Sequence, residues 1–399
     1  MKAEAISIIA EIAALEEQYQ LATYKKMPIA VERGEGVWVF TSNGERFLDL
    51  YGGHAVAGSG HCHPHVVDAI RRQTEKLLFY SNLVYSDIRA RTAEKLVSLA
   101  PAPLTKAFFC NSGTEANENA MRMARMATGR QNIISFTGGF HGRTADAISA
   151  TFLGKYREIG KPNVPGHLEA QFGKIDSVLQ LADESVAGVL LEPIQSMAGV
   201  RMCESDFYRA LRTVCDDRGI VLIYDEVQTG VGRTGEWFFS GTKPGAGVVP
   251  DILTVAKSLG SGIPVGACLV SEKISSQIKE NDLGTTFGGG MLAMAAVLAT
   301  LEAIQNEGML ANVVEVERHL RKRLDQVPQV VCVRGLGFLL GLEFATNAGP
   351  VHQGLLERQI IAGTASDPKV LRLLPPLCLK TGDVDLFVEK LEEVLALQE

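Results

Sequence analysis

The sequence predicts an α/β protein built around a mostly parallel sheet that helices cover. Between about residues 105 and 270, short apolar runs typical of strands alternate with longer segments of helical periodicity. The run from Ile220 to Tyr224 is continuous and mostly β-branched, as expected of a strand buried on both faces. Polar residues follow the strand ends, at the edge where open α/β sheets bind ligands.

Size and composition narrow the function classes. A chain of 399 residues is too long for one simple hydrophobic core, so two lobes are expected. Its 46% hydrophobic and 21% charged residues are typical of a soluble globular protein. The net charge of −7 argues against nucleic acid or an anionic membrane as a partner. The longest apolar run, residues 290–301, is far shorter than the ~20 residues of a membrane span, so no membrane-spanning segment is expected.

Cysteine usage and the N-terminal segment predict a cytoplasmic protein. The seven cysteines form no CxxC pair, and an odd number scattered through a large chain indicates reduced thiols. Acidic residues interrupt the apolar residues of the N-terminal segment, which therefore does not resemble a signal peptide.

The N-terminal part of the chain predicts two helices and a hairpin. Apolar residues recur at helical spacing from Ala5 to Tyr24, which indicates an amphipathic helix. The segments Val37–Phe40 and Phe47–Leu50 flank a Ser-Asn-Gly-Glu turn and predict a β-hairpin. A helix from Pro64 to Lys76 is expected next, because proline is favoured in the first turn of a helix.

The same periodicity places the remaining elements. The predicted strands of the main sheet are Lys106–Cys110, Asn132–Phe136, Val186–Leu191, Ile220–Tyr224 and Ile252–Ala256. Helices are predicted from the segment after Cys110 to about Thr128, over Phe207–Arg218 and over Met291–Glu307. A smaller α+β lobe is predicted from the C-terminal helices Ala311–Val327 and Val384–Leu397 and the strands Val330–Val333, Phe338–Phe344 and Val370–Leu373.

Two charged residues at strand ends suggest one chemistry. Asp225 follows the run Ile220–Tyr224, and Lys257 follows the run Ile252–Ala256 beside a glycine-bearing loop. Pyridoxal phosphate requires both residue types. A lysine binds it covalently, and a carboxylate keeps its ring nitrogen protonated so that the ring accepts electrons. From these residues alone, the alternative is an ordinary ion pair at the sheet edge.

Two segments rich in small residues could bind the phosphate of such a cofactor. Ser112, Gly113 and Thr114 stand where a strand passes into a helix, and the N–H groups at that helix end favour an anion. A plain helix cap explains the same residues equally well. The loop from Leu283 to Gly290 suits a second phosphate contact, or else is a flexible connector.

A glycine-rich loop and a C-terminal strand add an aromatic ring and two arginines. Phe140 and Arg143 follow a strand end, where they could stack on a ring and bind a carboxylate. A solvated loop anchored by its phenylalanine is the alternative. Arg372 lies in an apolar strand segment, and a buried arginine needs an anion, which is either a protein carboxylate or a substrate one.

Two further motifs suggest other functions. Three histidines and a cysteine within residues 61–65 suggest a zinc site, but their spacing does not match a zinc finger, and a turn before the next helix is favoured. The segment Gly230–Gly235 matches the GxGxxG fingerprint of nicotinamide-dependent oxidoreductases, but the residues after it do not predict a helix. A metal-binding protein and an oxidoreductase are therefore the alternatives to a pyridoxal-phosphate enzyme.

In their order along the chain, these motifs resemble the class III (ornithine-type) aminotransferases, which are fold-type I pyridoxal-phosphate enzymes. The resemblance covers the chain from about Tyr24 onward. The segments Tyr51–Val56, Phe79–Asn82 and Leu371–Pro376 resemble in particular the branch that acts on acetylornithine or succinylornithine. The resemblance implies a mostly parallel seven-stranded sheet covered by helices, a smaller α+β domain, and a homodimer with shared active sites.

The resemblance also implies a domain organisation and a reaction. Residues 1–58 would contribute to the small domain, residues 59–290 would form the large cofactor-binding domain, and residues 291–399 would supply a long connecting helix and the rest of the small domain. The implied reaction transfers the terminal amino group of an N-acylornithine to 2-oxoglutarate, in arginine biosynthesis. The alternatives within the family are other ω-amino donors: ornithine, 4-aminobutyrate or a carrier-bound γ-lysine.

Residue roles are implied at the positions that match the family. Lys257 would bind the cofactor and move the proton, and Asp225 would pair with the ring nitrogen. The other implied cofactor contacts are Ser112, Gly113, Thr114, Phe140, Glu192, Val227 and Gln228, with Thr286 contributed to the site of the partner subunit. The implied substrate contacts are Arg143 and Thr285 for the acylornithine, and Arg372 for the α-carboxylate of glutamate or 2-oxoglutarate.

One departure from the family pattern concerns the partner of Arg372. Ser196 and Met197 stand where many members have Gly-Glu, and the missing glutamate is the usual partner of the arginine that matches Arg372. Arg372 is therefore expected to stay free, or to pair with Glu192 or another acid.

Overall fold

The computed structural model describes residues 2–397 and is built on one large sheet and three smaller ones. The strands are β1 (Val31–Glu35), β2 (Trp38–Thr41), β3 (Arg46–Asp49), β4 (Leu104–Cys110), β5 (Asn132–Phe136), β6 (His167–Ala170), β7 (Val186–Leu191), β8 (Ile194–Gln195), β9 (Arg201–Met202), β10 (Val221–Asp225), β11 (Ile252–Val255), β12 (Gly266–Ser271), β13 (Val330–Leu336), β14 (Leu339–Phe344), β15 (Ile360–Ile361), β16 (Gly363–Thr364) and β17 (Val370–Leu373).

Helices connect these strands and cover the large sheet. They are α1 (Lys2–Tyr19), α2 (Gly52–Ala55), α3 (Pro64–Lys76), α4 (Asp87–Leu99), α5 (Gly113–Thr128), α6 (Ala145–Ser149), α7 (Gly154–Ile159), α8 (Ile175–Leu181), α9 (Ser205–Arg218), α10 (Glu272–Ser275), α11 (Met291–Asn306), α12 (Met309–Leu324), α13 (Gly349–Glu357) and α14 (Thr381–Ala396), with 3₁₀ turns at Phe239–Gly241 and Lys257–Gly260. In the segment assigned to α2, the backbone is left-handed.

The large sheet has seven strands in the order β4-β12-β11-β10-β7-β5-β6. Among these seven strands, β12 alone runs antiparallel to its neighbours. Strands β10 and β11 are adjacent and parallel, with Asp225 opposite Thr254. Their carboxyl ends therefore meet at one edge, as parallel pairing requires. The predicted α/β fold with a mostly parallel sheet is confirmed.

Apolar side chains on both faces of β10 explain why its sequence shows no alternation. Val221 and Ile223 point into the core beneath α5, and Leu222 and Tyr224 point into the core beneath α9. All four are almost completely buried, as expected of a strand in a sheet that helices cover on both sides.

The smaller sheets join distant parts of the chain. One has the order β1-β2-β3-β15, in which β3 pairs in parallel with the C-terminal strand β15. Another has the order β13-β14-β17-β16 and contains Arg372 in β17. The two sheets also meet where the Leu374 N–H donates to the Leu50 carbonyl at 2.7 Å. The pairing agrees with the proposed small domain of residues 1–58 and 291–399, although the domain boundaries stay a prediction.

The observed elements differ from the predicted ones mainly at their ends. The N-terminal helix was predicted to reach Tyr24 but ends at Tyr19, since the helical spacing of Leu21 and Tyr24 continues where no core is available and both side chains are exposed. Strand β10 ends one residue later than predicted and includes Asp225. No helix within residues 2–397 is both long and apolar enough to span a lipid bilayer.

Candidate active site

A cavity of about 380 Å³ opens at the carboxyl ends of β10 and β11. It is bounded by the N-terminus of α5, the loop after β5 and the 3₁₀ turn that begins at Lys257. Nine of the predicted cofactor-binding residues line this cavity: Ser112, Gly113, Thr114, Phe140, Glu192, Asp225, Val227, Gln228 and Lys257. Residues that lie up to 145 positions apart in the sequence, from Ser112 to Lys257, are thus brought together by the sheet topology.

Asp225 is held by neighbours other than Lys257. Its Oδ2 accepts hydrogen bonds from Asn117 Nδ2 at 2.7 Å and from the ring of His141, whose Nδ1 lies 2.8 Å away. Its Oδ1 accepts a bond from the Val227 N–H at 3.1 Å. No salt bridge joins Asp225 to Lys257 in the described part of the chain. The structure therefore does not contain the ordinary ion pair that the sequence left open.

Asn117 and His141 are functional residues that sequence reasoning missed. Asn117 Oδ1 accepts a bond from Thr254 Oγ1 at 2.7 Å, and its Nδ2 also donates to the His141 carbonyl at 2.9 Å. His141 Nε2 is buried and makes no hydrogen bond within residues 2–397. An asparagine inside a helix and a histidine in a loop carry no pattern that predicts such a network. Their shared contact with Asp225 arises only when the helix packs on the sheet.

Lys257 is half-buried at the cavity wall and has no bonding partner among the described residues. Across the described residues its Nζ forms no hydrogen bond and no salt bridge. Burial lowers the pKa of Lys257 to about 8, against the opposing attraction of Asp225 and Glu192. Its backbone has φ of +37°, in the left-handed region that side chains other than glycine seldom adopt, and such strain is concentrated at functional sites.

Glu192 lies beneath the loop that carries Phe140. Glu192 Oε1 accepts a bond from the Phe140 N–H at 2.7 Å. Burial raises the pKa of Glu192 well above its usual value, and the nearby charge of Asp225 acts in the same direction. The Phe140 ring meets the Tyr156 ring edge-on, with centroids 5.2 Å apart. The loop is thus fixed from both sides, and Phe140 remains at the cavity wall.

The N-terminus of α5 closes one end of the cavity. Ser112 caps the helix by accepting a bond from the Glu115 N–H, so the plain cap predicted as an alternative is present. Gly113 has a second reason to be small, because a Cβ there would lie 2.8 Å from Val227. Gly142 has to be small for a similar reason, because a Cβ there would clash with the Thr114 side chain. The first turn of α5 lines the cavity, where its amides can bind an anion. A helix cap at Ser112 and a phosphate site at the same helix end are therefore compatible.

Arg372 is buried among neutral partners. Its Nε donates to the Thr364 carbonyl at 2.6 Å, one Nη to Ser196 Oγ at 2.9 Å and the other to Tyr51 Oη at 2.8 Å. No carboxylate lies within salt-bridge distance among the described residues, so of the two predicted alternatives Arg372 stays free of an acid and does not pair with Glu192. Burial lowers the pKa of Arg372, with Tyr51 and Glu192 opposing it. The Ser196 hydroxyl thus contacts Arg372 in this chain, which lacks the glutamate that many family members place beside the matching arginine.

Three other predicted site residues lie outside the cavity. Arg143 is exposed, and its guanidinium lies 5.1 Å from the Tyr156 ring and 5.5 Å from the Tyr24 ring. Thr285 Oγ1 accepts a bond at 3.3 Å from Asn111, which lines the cavity. Thr286 is exposed and does not line the cavity of its own chain.

The motifs that suggested other functions have structural explanations. His61, His63 and His65 each contact a different carboxylate at 2.8 Å, from Asp49, Glu307 and Glu302. Three histidines that point to separate acids do not converge on one ion. After Gly230–Gly235 the chain forms turns and one 3₁₀ turn, so the helix that a dinucleotide fingerprint needs is missing here.

The cavity fits pyridoxal phosphate by the chemistry of its walls. It offers an amine without a partner, a carboxylate whose Oδ1 accepts a single hydrogen bond within residues 2–397, from the Val227 N–H, and helix-terminal amides for a phosphate. Two buried polar atoms at its wall, His141 Nε2 and Gln228 Oε1, have no hydrogen-bond partner in the described chain. Buried polar atoms are normally bonded, so a polar ligand is expected in this space.

Comparison with known proteins gives consistent matches. Residues 19–395 match the family described as Aminotransferase class-III. An acetylornithine aminotransferase from Archaeoglobus fulgidus is 40% identical over 374 residues, covering 94% of this chain and 97% of the relative. One from Agrobacterium fabrum is 41% identical over 366 residues, covering 89% of this chain and 90% of the relative.

Solved structures agree with these sequence matches. The ornithine aminotransferase from Toxoplasma gondii superposes with a TM-score of 0.90 at 26% identity, covering 98% of this chain and 96% of the other. The acetylornithine aminotransferase from Elizabethkingia anophelis superposes with a TM-score of 0.85 at 26% identity, covering 97% and 99%. The similarity extends over both the large sheet and the smaller ones.

Glu226, beside Asp225, serves the fold rather than the cavity. Its carboxylate accepts bonds from the Phe239 N–H at 2.8 Å and from Thr229 Oγ1 at 3.1 Å, and it does not line the cavity. Burial raises the pKa of Glu226 to about 8. Of two successive carboxylates, one therefore faces the cavity and the other binds a loop in protonated form.

We expect Glu226 to make stability depend on pH. Its folded pKa of about 8 lies above the unfolded value of about 4.3. Between these values only the unfolded state releases the proton. The contribution to the free energy of unfolding is therefore full below the unfolded pKa and falls by about 1.4 kcal/mol per pH unit up to the folded pKa. In urea unfolding, the free energy of unfolding of Glu226→Gln should increase relative to that of the wild type as pH rises from 5.5 to 8. Parallel pH profiles for the two proteins would contradict this.

Proposed function

This chain belongs to the class III aminotransferases, and we propose that it transfers the terminal amino group of an N-acylornithine to 2-oxoglutarate. The acyl group would be acetyl or succinyl, and the products would be the acylglutamate semialdehyde and glutamate. The observation that carries the proposal is the series of relatives named acetylornithine aminotransferase, 36–41% identical over most of the chain. Such a reaction belongs to arginine biosynthesis, and a cytoplasmic location would suit it.

The chain's cofactor is pyridoxal 5′-phosphate, which supplies an electron sink for the carbon that bears the amino group. Lys257 would hold it covalently, and Asp225 would hold its ring nitrogen through Oδ1, which otherwise contacts the Val227 N–H. The bonds from Asn117 and His141 fix the other oxygen of Asp225 and so orient it. Gln228 would contact the cofactor's phenolic oxygen, since Gln228 Oε1 has no partner within the described residues.

The remaining wall residues would hold the cofactor's faces and phosphate. Phe140 would stack on one face and Val227 would pack on the other, which excludes water from the reacting atoms. The α5 amides at Gly113 and Thr114 would bind the phosphate. Ser112, which caps the helix, would support this contact, and Glu192 would keep the Phe140 loop in place.

Lys257 is suited to move the proton at the reacting carbon. With a pKa of about 8, about a tenth of this amine is neutral at pH 7, far more than of an exposed lysine. Its position at the cavity wall allows it to take a proton from the amine-bearing carbon and to deliver it on the same face. Burial is the largest cause of the low pKa of Lys257; Arg372 acts in the same direction, and Asp225 and Glu192 oppose it.

Two arginines would bind the substrates' carboxylates. Arg372, buried and contacted by neutral groups, keeps its full charge for the α-carboxylate of glutamate or 2-oxoglutarate. Arg143 lies exposed at the outer side of the Phe140 loop and would bind the carboxylate of the acylornithine, with Thr285 nearby. The two arginines would thus hold opposite ends of the substrates.

The active unit would be a homodimer with shared sites. Thr286 is exposed on its own chain and would complete the phosphate site of the partner subunit. Several large apolar side chains around it are also exposed, among them Leu83, Tyr85 and Phe287, as expected of a surface that another subunit covers. Sedimentation of the purified protein at the mass of two chains would support this; a monomer that retains full activity would oppose it.

A second candidate donor is ornithine itself. The structural neighbour from Toxoplasma gondii is an ornithine aminotransferase, and its TM-score is higher than that of the acetylornithine aminotransferase from Elizabethkingia anophelis. At 26% identity neither outweighs the relatives near 40%. Other ω-amino donors, 4-aminobutyrate or a carrier-bound γ-lysine, would react by the same chemistry.

The proposed donor is tested by a panel of amines. Each amine is mixed with the cofactor-loaded protein in single turnover, and the loss of the yellow colour is followed. N-Acetylornithine or N-succinylornithine should react with the highest rate per unit concentration. A higher value for ornithine or 4-aminobutyrate would refute the proposed donor without refuting the aminotransferase.

We expect Lys257→Ala to lose both the yellow colour of covalently bound cofactor and turnover. The reason is that Lys257 is the amine without a partner at the cavity wall. Absorbance spectroscopy and a coupled glutamate assay measure the two properties. Lys322→Ala, which removes an exposed lysine, is the control and should behave as wild type. Turnover of Lys257→Ala at the wild-type rate would contradict the assignment.

We expect Arg372→Ala to raise the KM for glutamate and for 2-oxoglutarate most. An arginine–carboxylate contact contributes about 1.5–3 kcal/mol, so the increase should be about ten- to a hundredfold. Steady-state kinetics with each substrate varied separately provide the measurement. Arg143→Ala is the matched variant and should raise the KM of the acylornithine. An unchanged KM for both glutamate and 2-oxoglutarate in Arg372→Ala would show that Arg372 has another role.

A further inference from the structure

We propose that His54 is a specificity-determining residue that hydrogen-bonds the polar far end of the amine donor, the end that carries its carboxylate. The inference rests on the proposed function, since it needs a donor whose reacting amine enters at Lys257. It is carried by the position of His54 on a strained turn that connects Arg372 with the residue after Lys257. His54 has no role among the residues that the sequence predicts for the site.

The turn that carries His54 has a backbone that proteins rarely use. Gly52, Gly53, His54 and Ala55 have φ of +55°, +57°, +71° and +61°, so four successive residues are left-handed. Residues other than glycine pay roughly 1–2 kcal/mol each for this conformation. His54 and Ala55 therefore stay there only because the surrounding structure fixes them.

Asp49 provides most of that fixation. Its Oδ1 accepts bonds from the Tyr51 and Gly52 N–H groups, each at 2.9 Å, and its Oδ2 accepts one from the Gly53 N–H at 3.0 Å. The ring of His61 lies 2.8 Å from the same Oδ2. Asp49 is itself almost completely buried. One buried carboxylate thus holds three successive amides and fixes the course of the chain at the start of the turn.

The two ends of the turn contact the two cationic parts of the site. Tyr51 Oη accepts the bond from Arg372 at 2.8 Å. The Ala55 carbonyl accepts a bond from Ser258 Oγ at 3.0 Å, directly after Lys257, and Val56 lines the cavity. His54 lies between these contacts. It is also near enough for the charges of Lys257, Arg372 and Arg143 to act on its ring.

The His54 ring is free to bind. It is exposed, it meets the Tyr51 ring edge-on at 5.0 Å, and it makes no hydrogen bond within residues 2–397. Its partial burial and the charges of Lys257, Arg372 and Arg143 lower the pKa of His54 to about 4. The imidazole is therefore neutral at physiological pH. It can donate one N–H to a carboxylate while adding no further positive charge to the site.

The chemistry of the donor matches this position. An N-acylornithine carries at its far end a carboxylate and an uncharged amide. Arg143 would supply the charge for the carboxylate, and the neutral ring of His54 would supply a directional hydrogen bond. A donor without a far carboxylate has nothing for His54 to bind. His54 should therefore affect only donors that carry this group.

The test compares two donors that differ in that group alone, 5-aminopentanoate and pentylamine, together with N-acetylornithine. The variants are His54→Gly and His54→Asn, because glycine and asparagine tolerate the left-handed backbone. Single-turnover rates per unit concentration are measured on the cofactor-loaded protein. In His54→Gly we expect a loss of about tenfold or more for both carboxylate-bearing donors and less than twofold for pentylamine. His54→Asn, which keeps a hydrogen-bonding side chain, should recover part of the loss.

His65→Asn is the matched control, because His65 contacts Glu302 and lies outside the turn. It should leave all three rates unchanged. Equal losses for all donors in His54→Gly, or no loss for any, would overturn the inference. Failure of the proposed function is separate: it would appear in the wild-type protein as a preference for ornithine or 4-aminobutyrate, and would leave the 5-aminopentanoate and pentylamine comparison valid.

Discussion

The site depends on keeping a buried carboxylate and a half-buried amine close together without letting them pair. Asp225 is held by Asn117 and His141, and Lys257 has no partner among the described residues. Opposite charges that do not pair with each other cost free energy when they lose hydration, even where one of them, as here Asp225, is hydrogen-bonded by other groups. The parallel pairing of β10 with β11 fixes their separation, and the network around Asp225 prevents the carboxylate from turning toward the amine. Pyridoxal phosphate between them would offset this free-energy cost, because its ring nitrogen would pair with Asp225 and its aldehyde would react with Lys257.

Two cationic side chains at the site have no salt-bridge partner among the described residues. Lys257 is half-buried and Arg372 is buried, and neither forms a salt bridge within residues 2–397. Arg372 instead contacts Ser196, Tyr51 and a carbonyl, which satisfy its geometry and leave its charge uncompensated. The uncompensated charge of Arg372 favours substrates that carry a carboxylate.

Residues at strand ends could be predicted from the sequence, and residues that depend on packing could not. Strands β5 and β7 were predicted at their observed bounds because continuous apolar runs between polar segments have few alternative structures. Asp225 and Lys257 followed from their places at the ends of such runs. Asn117, His141 and His54 have no comparable signal, because an amide on a helix or an imidazole in a loop acquires its role from residues far away in the sequence. The neutral contacts of Arg372 could not be predicted either, since Tyr51 and Ser196 reach it from two other parts of the chain.

A crystal structure of the protein with pyridoxal phosphate tests the central claim most directly. It should show continuous density from Lys257 Nζ to the cofactor. It should also place an oxygen of Asp225 about 2.6–3.2 Å from the ring nitrogen, with His141 and Asn117 still bonded to that carboxylate. Cofactor bound elsewhere, or a direct salt bridge between Lys257 and Asp225 with no cofactor between them, would contradict the account.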